Sequence, residues 1–139
     1  MMKARLIFLF FVWSLSPSLA FTSDVDDFSE LIAKNKYEET VSRINELILK
    51  YPQDRQLIFY RAAIFHHYGK LRKAKEDFLL LSNNHPKDPI FKNNLGVVHA
   101  KIGDLYKARI CFEAALRLKP DYQEAKNNLL AINKYSYYK

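Results

Sequence analysis

An internal repeat constrains the fold of this chain more than any other feature of its sequence. Five residues recur unchanged at a fixed offset of 34 residues. The pairs are Gly69/Gly103, Leu71/Leu105, Ala74/Ala108, Phe78/Phe112 and Pro86/Pro120. The register continues one period earlier, where it places Tyr37, Thr40, Ile44, Leu47 and Pro52. A fixed period of this length is typical of proteins that stack one small structural unit several times.

Each period predicts two short helices joined by a tight turn. In residues 89–122, Ala108, Phe112 and Ala115 follow one another at spacings of four and three, which indicates the buried stripe of a helix. Gly103 allows the chain to turn between the two helices. A single helix pair cannot bury its own apolar face, so we expect the units to stack and form an all-α protein.

The helix bounds follow from the apolar spacing and from the capping residues. The predicted helices include 37–50, 55–68, 71–84 and, as a cover for the last apolar face, 122–135. Asp54 and Asp88 are placed to cap the helices that follow them. Pro89 suits a first helical position, because its missing N–H is not needed there.

The unit resembles the tetratricopeptide repeat (TPR), a 34-residue helix–turn–helix. The third unit carries the family's pattern in Leu95, Gly96, His99, Ala108, Phe112, Ala115 and Pro120, with Lys92 at a position that is usually aromatic. The second carries Phe65, Ala74, Phe78, Leu81 and Pro86, but has Arg61-Ala62 where Leu-Gly is usual. The first carries Leu31, Ile44, Leu47 and Pro52, with Asp27-Phe28 in place of Leu-Gly.

The resemblance implies a right-handed superhelix of three repeats and a C-terminal capping helix. The expected organisation is repeat 1 at 21–54, repeat 2 at 55–88, repeat 3 at 89–122, and the capping helix with its tail at 123–139.

Residues 1–20 have the layout of a secretory signal peptide. Lys3 and Arg5 precede an unbroken apolar run, and Ala20 lies in a stretch of small residues that suits cleavage. The run is shorter than the roughly 20 residues of a membrane-spanning helix. We therefore expect an exported protein, periplasmic or extracellular, and an uncleaved membrane anchor is the alternative.

The charge pattern argues against nucleic acid as a partner. The formal net charge is +7, and removal of residues 1–20 would lower it to +5, because Lys3 and Arg5 would leave. Acidic and basic residues are mixed along the chain, as in the run from Arg72 to Asp77, which is typical of a solvated helix face. No basic stripe with interleaved aromatic residues is present.

The sequence offers no catalytic motif, no cofactor motif and no metal-binding motif. It contains no nucleophile elbow, no Gly-rich phosphate loop and no His-Glu-x-x-His run. His66 and His67 are adjacent and so point to different helix faces, which is not the spacing of a zinc pair. Cys111 is the single cysteine, so it is either a small packed residue or, alternatively, the source of an intermolecular disulfide or a reactive thiol.

The resemblance implies a peptide-binding groove lined by the first helix of each unit. Unit one would contribute Val25, Asp26 and Ser29. The remaining predicted groove residues are Gln56, Phe59, Tyr60, Ala63, His66, His67, Ile90, Asn93, Asn94, Val97, Lys101, Asn127 and Asn128. The carboxylate clamp that some TPR domains use on acidic C-termini is absent, because Val25, Ser29, Tyr60, Ile90 and Asn94 occupy its positions.

Two amides in this groove suggest a way to hold a peptide. Asn94 and Asn128 lie one period apart, and a side-chain amide can both donate to and accept from a peptide backbone. The pair is a short Asn ladder or, alternatively, only the usual composition of a helix start in this family. The pair His66-His67 could make binding sensitive to pH, because histidine titrates near neutrality.

The predicted function is an exported adaptor or scaffold that binds a protein or peptide segment in its concave groove. The alternative is a structural subunit of an envelope assembly, which associates with itself or docks through its convex face or its Tyr-rich tail, residues 135–139. Fold alone does not decide between them.

Overall fold

The computed structural model describes residue 28 and residues 30–136, and this part of the chain consists of α-helices joined by short turns. Six helices are named here as α1 (Tyr37–Lys50), α2 (Arg55–His67), α3 (Leu71–Asn84), α4 (Pro89–Ile102), α5 (Leu105–Leu118) and α6 (Gln123–Ser136). Residues 28 and 30–33 are also helical. The all-α prediction is confirmed, and the predicted helix bounds agree to within one residue. The predicted signal peptide lies outside the described residues.

The contacts divide the chain into two units, residues 1–40 and residues 41–139. In the first unit, Phe28 and Thr40 are buried, and the Thr40 hydroxyl donates to the Lys36 carbonyl oxygen at 2.6 Å. A hydroxyl that bonds the carbonyl four residues earlier needs no other partner when it is buried. The second unit contains α2 to α6 and most of the predicted groove residues.

Three Asp residues fix where helices begin. The side chain of Asp54 accepts from the Gln56 N–H at 2.8 Å, and that of Asp88 accepts from the Ile90 N–H at 2.9 Å. Asp104 caps α5 in the same way. Each cap satisfies an N–H that has no partner inside the helix, which contributes about 1 kcal/mol. Both predicted N-caps are therefore confirmed.

The turns inside the helix pairs also repeat with the period. Asn35, Gly69 and Gly103 have φ values of 57°, 71° and 97°. This left-handed backbone ends a helix sharply and favours Gly, with Asn as the next best choice. The same turn therefore occurs once in every period.

In the second unit, each helix from α2 to α6 packs against the next one along the chain, and α4 also contacts α6. Contacts between alternate helices are what a stacked array of helix pairs requires. The residues that recur with the period form the core: Ala74 and Ala108 have no exposed surface, and Phe78 and Phe112 are 2% and 1% exposed. The stack therefore buries the apolar stripes that one helix pair would leave open.

Helices α4 and α5 approach each other closely at Gly96. A Cβ atom at this position would lie 2.6 Å from Cε1 of Phe112 and 3.0 Å from Cβ of Cys111. Real Cβ atoms are not found this close to ring carbons, so Gly96 is required by packing rather than by its backbone angles.

In repeat 2 an ionic contact joins the two helices, beside the position that is equivalent to Gly96. Arg61 on α2 makes two hydrogen bonds to the carboxylate of Asp77 on α3, at 2.8 and 2.7 Å, and a third to Oδ1 of Asn45 on α1, at 2.9 Å. Asp77 is 6% exposed. One period later the same positions hold Leu95 and Cys111. The departure from Leu-Gly at Arg61 is therefore compensated by an acid on the facing helix.

We expect Gly96→Ala to lower the free energy of unfolding by about 1–3 kcal/mol, because the added methyl group displaces the Phe112 ring. Without that clash, Ala would stabilise a helix interior by about 1 kcal/mol relative to Gly. Urea unfolding of the single variant, of Phe112→Leu and of the double variant measures the effect. The double variant should lose less than the sum of the singles, and a stabilised Gly96→Ala variant would contradict the close approach.

We expect Asp77→Ala to lower the free energy of unfolding by about 2–3 kcal/mol, because it leaves the largely enclosed guanidinium of Arg61 without its carboxylate. The double variant Arg61→Leu/Asp77→Cys copies the pairing of repeat 3 and should recover most of the loss. Urea unfolding under reducing conditions compares the three proteins. A double variant that is less stable than Asp77→Ala would show that the two repeats are not interchangeable at this contact.

Candidate functional site

The candidate groove lies along α2, α4 and α6, which are the first helices of successive pairs. Phe59 on α2 contacts Phe91 on α4 with ring centroids 6.1 Å apart, and α4 contacts α6 directly. These three helices therefore form one continuous layer. Side chains that occupy equivalent positions on them lie in rows across the layer, as the repeat period requires.

The predicted groove residues of the second unit fall into three classes of exposure. His67, Lys101 and Asn127 are exposed. The half-buried ones are Gln56, Ala63, His66, Ile90, Asn94, Val97 and Asn128. The buried ones are Phe59, Tyr60 and Asn93. Val25, Asp26 and Ser29, which were predicted for unit one, lie outside the described residues.

The prediction that Phe59, Tyr60 and Asn93 line an open groove is wrong, because these residues are 3%, 8% and 2% exposed. Phe59 packs edge-on against Phe78 at 5.8 Å between ring centroids, and against Tyr60 at 6.2 Å. Aromatic rings in this arrangement stabilise each other beyond the area they bury. Phe59 is therefore a core residue that holds α2 onto α3 and α4.

Asn93 belongs to a buried polar contact between α4 and α6. Its Oδ1 accepts a hydrogen bond from Nδ2 of Asn128 at 3.0 Å. Tyr122, 6% exposed, lies beside Asn93 without a well-formed hydrogen bond from its hydroxyl. Burial raises the pKa of Tyr122 well above its usual range, and the negative charges of Glu124 and Asp88 add to the shift. The contact fixes the capping helix on repeat 3 by a polar bond rather than by apolar packing alone.

The two amides of the predicted Asn ladder already have bonds inside the protein. Nδ2 of Asn94 donates to the carbonyl oxygen of Ile90 at 2.8 Å, and Nδ2 of Asn128 donates to Asn93. Each amide keeps its carbonyl oxygen and its second N–H for another partner. The Asn ladder stays a prediction. One of the two side-chain N–H groups of each amide is already used inside the protein.

A row of small apolar side chains, called here the floor of the candidate groove, lies three residues after the positions of Asn94 and Asn128. Ala63, Val97 and Ala131 occupy the same position on α2, α4 and α6, and none of them is buried. The sequence prediction included Ala63 and Val97 but left out Ala131, although the repeat period would have identified it. Small side chains leave room for a bound chain to approach the helices closely.

One edge of the groove carries positive charge. Lys101, at the end of α4, is exposed and has no ion pair within the described part of the chain. His66, at the end of α2, is half-buried, and its Nε2 atom is enclosed without a hydrogen-bond partner. Burial lowers the pKa of His66, and the charges of Lys101 and His67 lower it further. The lowered pKa favours the neutral form of His66, and the positive charge of Lys101 acts in the same direction as burial.

The described residues contain no helix long and apolar enough to cross a membrane, and no group of His, Cys, Asp and Glu side chains that could hold a metal ion. Cys111 is a half-buried free thiol. Burial raises the pKa of Cys111, so less of it is the reactive thiolate at neutral pH.

Residues 89–122 match the family model described as "Tetratricopeptide repeat". This stretch is repeat 3, with α4 and α5 as its two helices. The match confirms the family resemblance for this part of the chain. No curated protein is significantly similar to the chain in sequence.

Solved TPR domains have the same fold. The Sgt2 TPR domain from Aspergillus fumigatus matches with a TM-score of 0.72 at 18% identity, over 86% of this chain and 81% of that one. The second TPR domain of human RPAP3, in complex with the HSP70 peptide SGPTIEEVD, matches with a TM-score of 0.69 at 22% identity, over 80% and 92%. The first TPR of Spaghetti (RPAP3), bound to the HSP90 peptide SRMEEVD, matches with a TM-score of 0.69 at 21% identity, over 79% and 87%. The TPR-like fold predicted from the sequence is therefore confirmed.

We expect the free energy of unfolding to fall as the pH drops below about 6.5, because the unfolded chain then protonates His66 while the folded chain resists. A histidine whose pKa is lowered by folding stabilises the native state above its unfolded pKa and loses that contribution below it. Chemical unfolding at several pH values should give a shallower pH dependence for His66→Gln than for the parent.

The control for this pH series is His99→Gln, because burial also lowers the pKa of His99 while Asp104 opposes the shift. Among the parent, the two single variants and the double variant His66→Gln/His99→Gln, the double variant should show the weakest pH dependence of the free energy of unfolding. A His66→Gln variant with the parent's slope would contradict a neutral, enclosed His66.

Proposed function

We propose that this protein is a binding adaptor that holds an extended protein or peptide segment along the groove of α2, α4 and α6, outside the cytoplasm. The observation that supports this best is the row of accessible, equivalent side chains on three alternate helices. It combines a floor of small residues at Ala63, Val97 and Ala131 with amides that can still bond a peptide backbone.

The groove suits an extended segment because its features recur along one direction. A peptide backbone presents donors and acceptors at regular intervals, and the free carbonyl oxygens of Asn94 and Asn128 lie one period apart. An amide oxygen accepts from any peptide N–H, so such contacts contribute affinity without reading sequence. Selectivity would then depend on the floor and on the charged edge at Lys101.

Relatives in fold support a peptide ligand. The two RPAP3 domains were solved with peptides from HSP90 and HSP70. In this chain the positions of the acidic-tail clamp hold other residues, among them Tyr60, Ile90 and Asn94, and Tyr60 is buried. We therefore infer a peptide partner that is held differently from those two.

The proposed location rests on residues 1–20. A positive start, an apolar run and a stretch of small residues are the parts of a secretory signal. If the segment is not cleaved, the same apolar run would tether the adaptor to a membrane. In either case the repeats would face a compartment outside the cytoplasm.

We expect a peptide selected on the full-length protein from a random dodecapeptide library to bind in the groove. The groove variant Asn94→Ala/Ala131→Gln removes one amide and fills the floor, and it should weaken binding about tenfold or more. Fluorescence anisotropy with the labelled peptide measures the affinity, and circular dichroism checks that the helices are retained.

The matched control is the variant Tyr106→Ser/Ile110→Ser, which alters two side chains of α5 that are 74% and 44% exposed. These exposed apolar residues favour the alternative function, in which the convex face docks onto another protein or a second copy. If the control variant loses binding while the groove variant keeps it, the groove proposal fails and the alternative replaces it. If no peptide is selected at all, the peptide-binding function is wrong.

A further inference from the structure

The last helix of the stack, α6, exposes a row of residues whose equivalents on α2 and α4 are covered. Lys126, Leu130 and Lys134, called here the basic row, follow one another at spacings of four on one face of α6. All three are exposed, and Leu130 is 66% exposed. The equivalent residues on α2 and α4 are all buried or half-buried, and they are Ile58, Ala62, His66, Lys92, Gly96 and Ala100.

The difference follows from the order of the helices. Helix α3 packs against α2, and α5 packs against α4, whereas no further helix follows α6 within the described part of the chain. The basic row therefore occupies the positions where a second helix covers the two earlier repeats. Its central residue is a large apolar side chain, which gains free energy when it is removed from water.

We propose that the basic row of α6 binds helix α1 of a second copy of this chain. The complementary surface is a row of Glu38, Ser42 and Glu46, called here the acidic row, which follow one another at spacings of four on α1 and are all exposed. This inference goes beyond the proposed function, because neither row belongs to the predicted groove residues.

Charge complementarity selects this occupant. None of the four charged residues in the two rows has an ion pair within the described part of the chain. In each row the two charges are eight residues apart, which is about 12 Å along a helix. Both ion pairs can therefore form at once when the rows meet, with Leu130 between them against Ser42. Two basic rows or two acidic rows would repel each other, so the unlike pair is favoured.

The contact joins different surfaces of the two copies. Arg61 on α2 bonds Asn45 on α1, and each helix from α2 to α6 packs against the next, so α1 and α6 are the first and last of these helices in the order of packing. Leu130 remains exposed, so the α1 of the same chain does not cover it. A contact between unlike surfaces leaves one free row of each kind on the pair, and further copies can add to it.

The association is expected to be weak. An exposed ion pair raises affinity by at most about fivefold, and one contact between two helices is smaller than the interface of a stable dimer. We expect a dissociation constant of about 0.1–0.5 mM, which matters where copies are concentrated. Salt at about 0.1 M screens the repulsion between whole copies of net charge +7, while charges in direct contact still attract.

The test exchanges the charges of the two rows in the full-length protein. Fluorescence anisotropy of a labelled copy, titrated with unlabelled copies to about 1 mM, measures the affinity. The basic-row variant Lys126→Glu/Lys134→Glu and the acidic-row variant Glu38→Lys/Glu46→Lys should each associate with themselves at least about tenfold more weakly than the parent. The labelled basic-row variant should bind the unlabelled acidic-row variant to within about threefold of the parent's affinity, because their charges match again.

Two controls separate this contact from other effects. The variant Arg72→Glu/Lys87→Glu alters two exposed cations outside the rows and lowers the net charge as much as the basic-row variant does, and it should keep the parent's affinity. The variant Leu130→Ser keeps all charges and should weaken association about threefold or more. Circular dichroism checks that every variant keeps its helices.

Several outcomes would overturn the proposal. A parent that does not associate by about 1 mM has no such contact. Association that survives both charge reversals would belong to another surface, such as Tyr106 and Ile110 on α5, or to residues outside the described part. Failure of the two exchanged variants to bind each other would show that the rows do not pair, and an equal loss in the Arg72→Glu/Lys87→Glu control would assign the effect to net charge. The peptide selection tests the groove separately, so the two failures are distinguishable.

Discussion

The structure depends on one constraint: a single pair of short helices cannot cover the apolar stripe that the two helices share. The stripe is buried when the next pair packs against it, so the repeat has to keep a constant length and a constant turn. The left-handed residues at Asn35, Gly69 and Gly103 meet the second requirement. Asp54 and Asp88, one period apart, begin the first helices of repeats 2 and 3 at the same position of the repeat. The groove follows from the same constraint, because stacking aligns the first helices and leaves their far faces uncovered.

The repeats are alike in geometry but not in the interaction that joins their two helices. Repeat 3 uses the absence of a side chain at Gly96, so that Phe112 can lie against the helix backbone. Repeat 2 has Ala62 at that position and, beside it, a partly buried ion pair between Arg61 and Asp77. A paired, fully hydrogen-bonded charge is tolerated inside a protein, whereas either residue alone would be strongly destabilising. The repeat period therefore determines where the two helices of a pair meet, but the type of interaction at that contact differs between repeats.

Much of the fold could be predicted from the sequence, since spacing, caps and turn residues are local signals. The helix bounds, the caps at Asp54 and Asp88 and the turn at Gly103 are in this class. The candidate site was harder, because repeat position does not determine burial. Phe59 is buried against Phe78 and Phe91. Asn93 is buried and accepts a hydrogen bond from Asn128, which is 35 positions away in the sequence. Contacts of this kind depend on which side chains neighbouring repeats happen to offer, and no local pattern encodes them. In the sequence, Asp77 looks like another surface charge in a run of mixed charges. Its burial and its ion pair with Arg61 become apparent only in the structure.

The different contacts in the two repeats nevertheless imply the same response to cooling. Apolar packing, such as that of Phe112 against α4, weakens as temperature falls, because the hydrophobic effect is largely entropic near room temperature. The ion pair of Arg61 and Asp77 also weakens, because the hydration of charged groups carries a negative entropy and the cost of removing their water rises in the cold. Both ways of joining paired helices therefore depend on the release of water, although one is apolar and the other ionic.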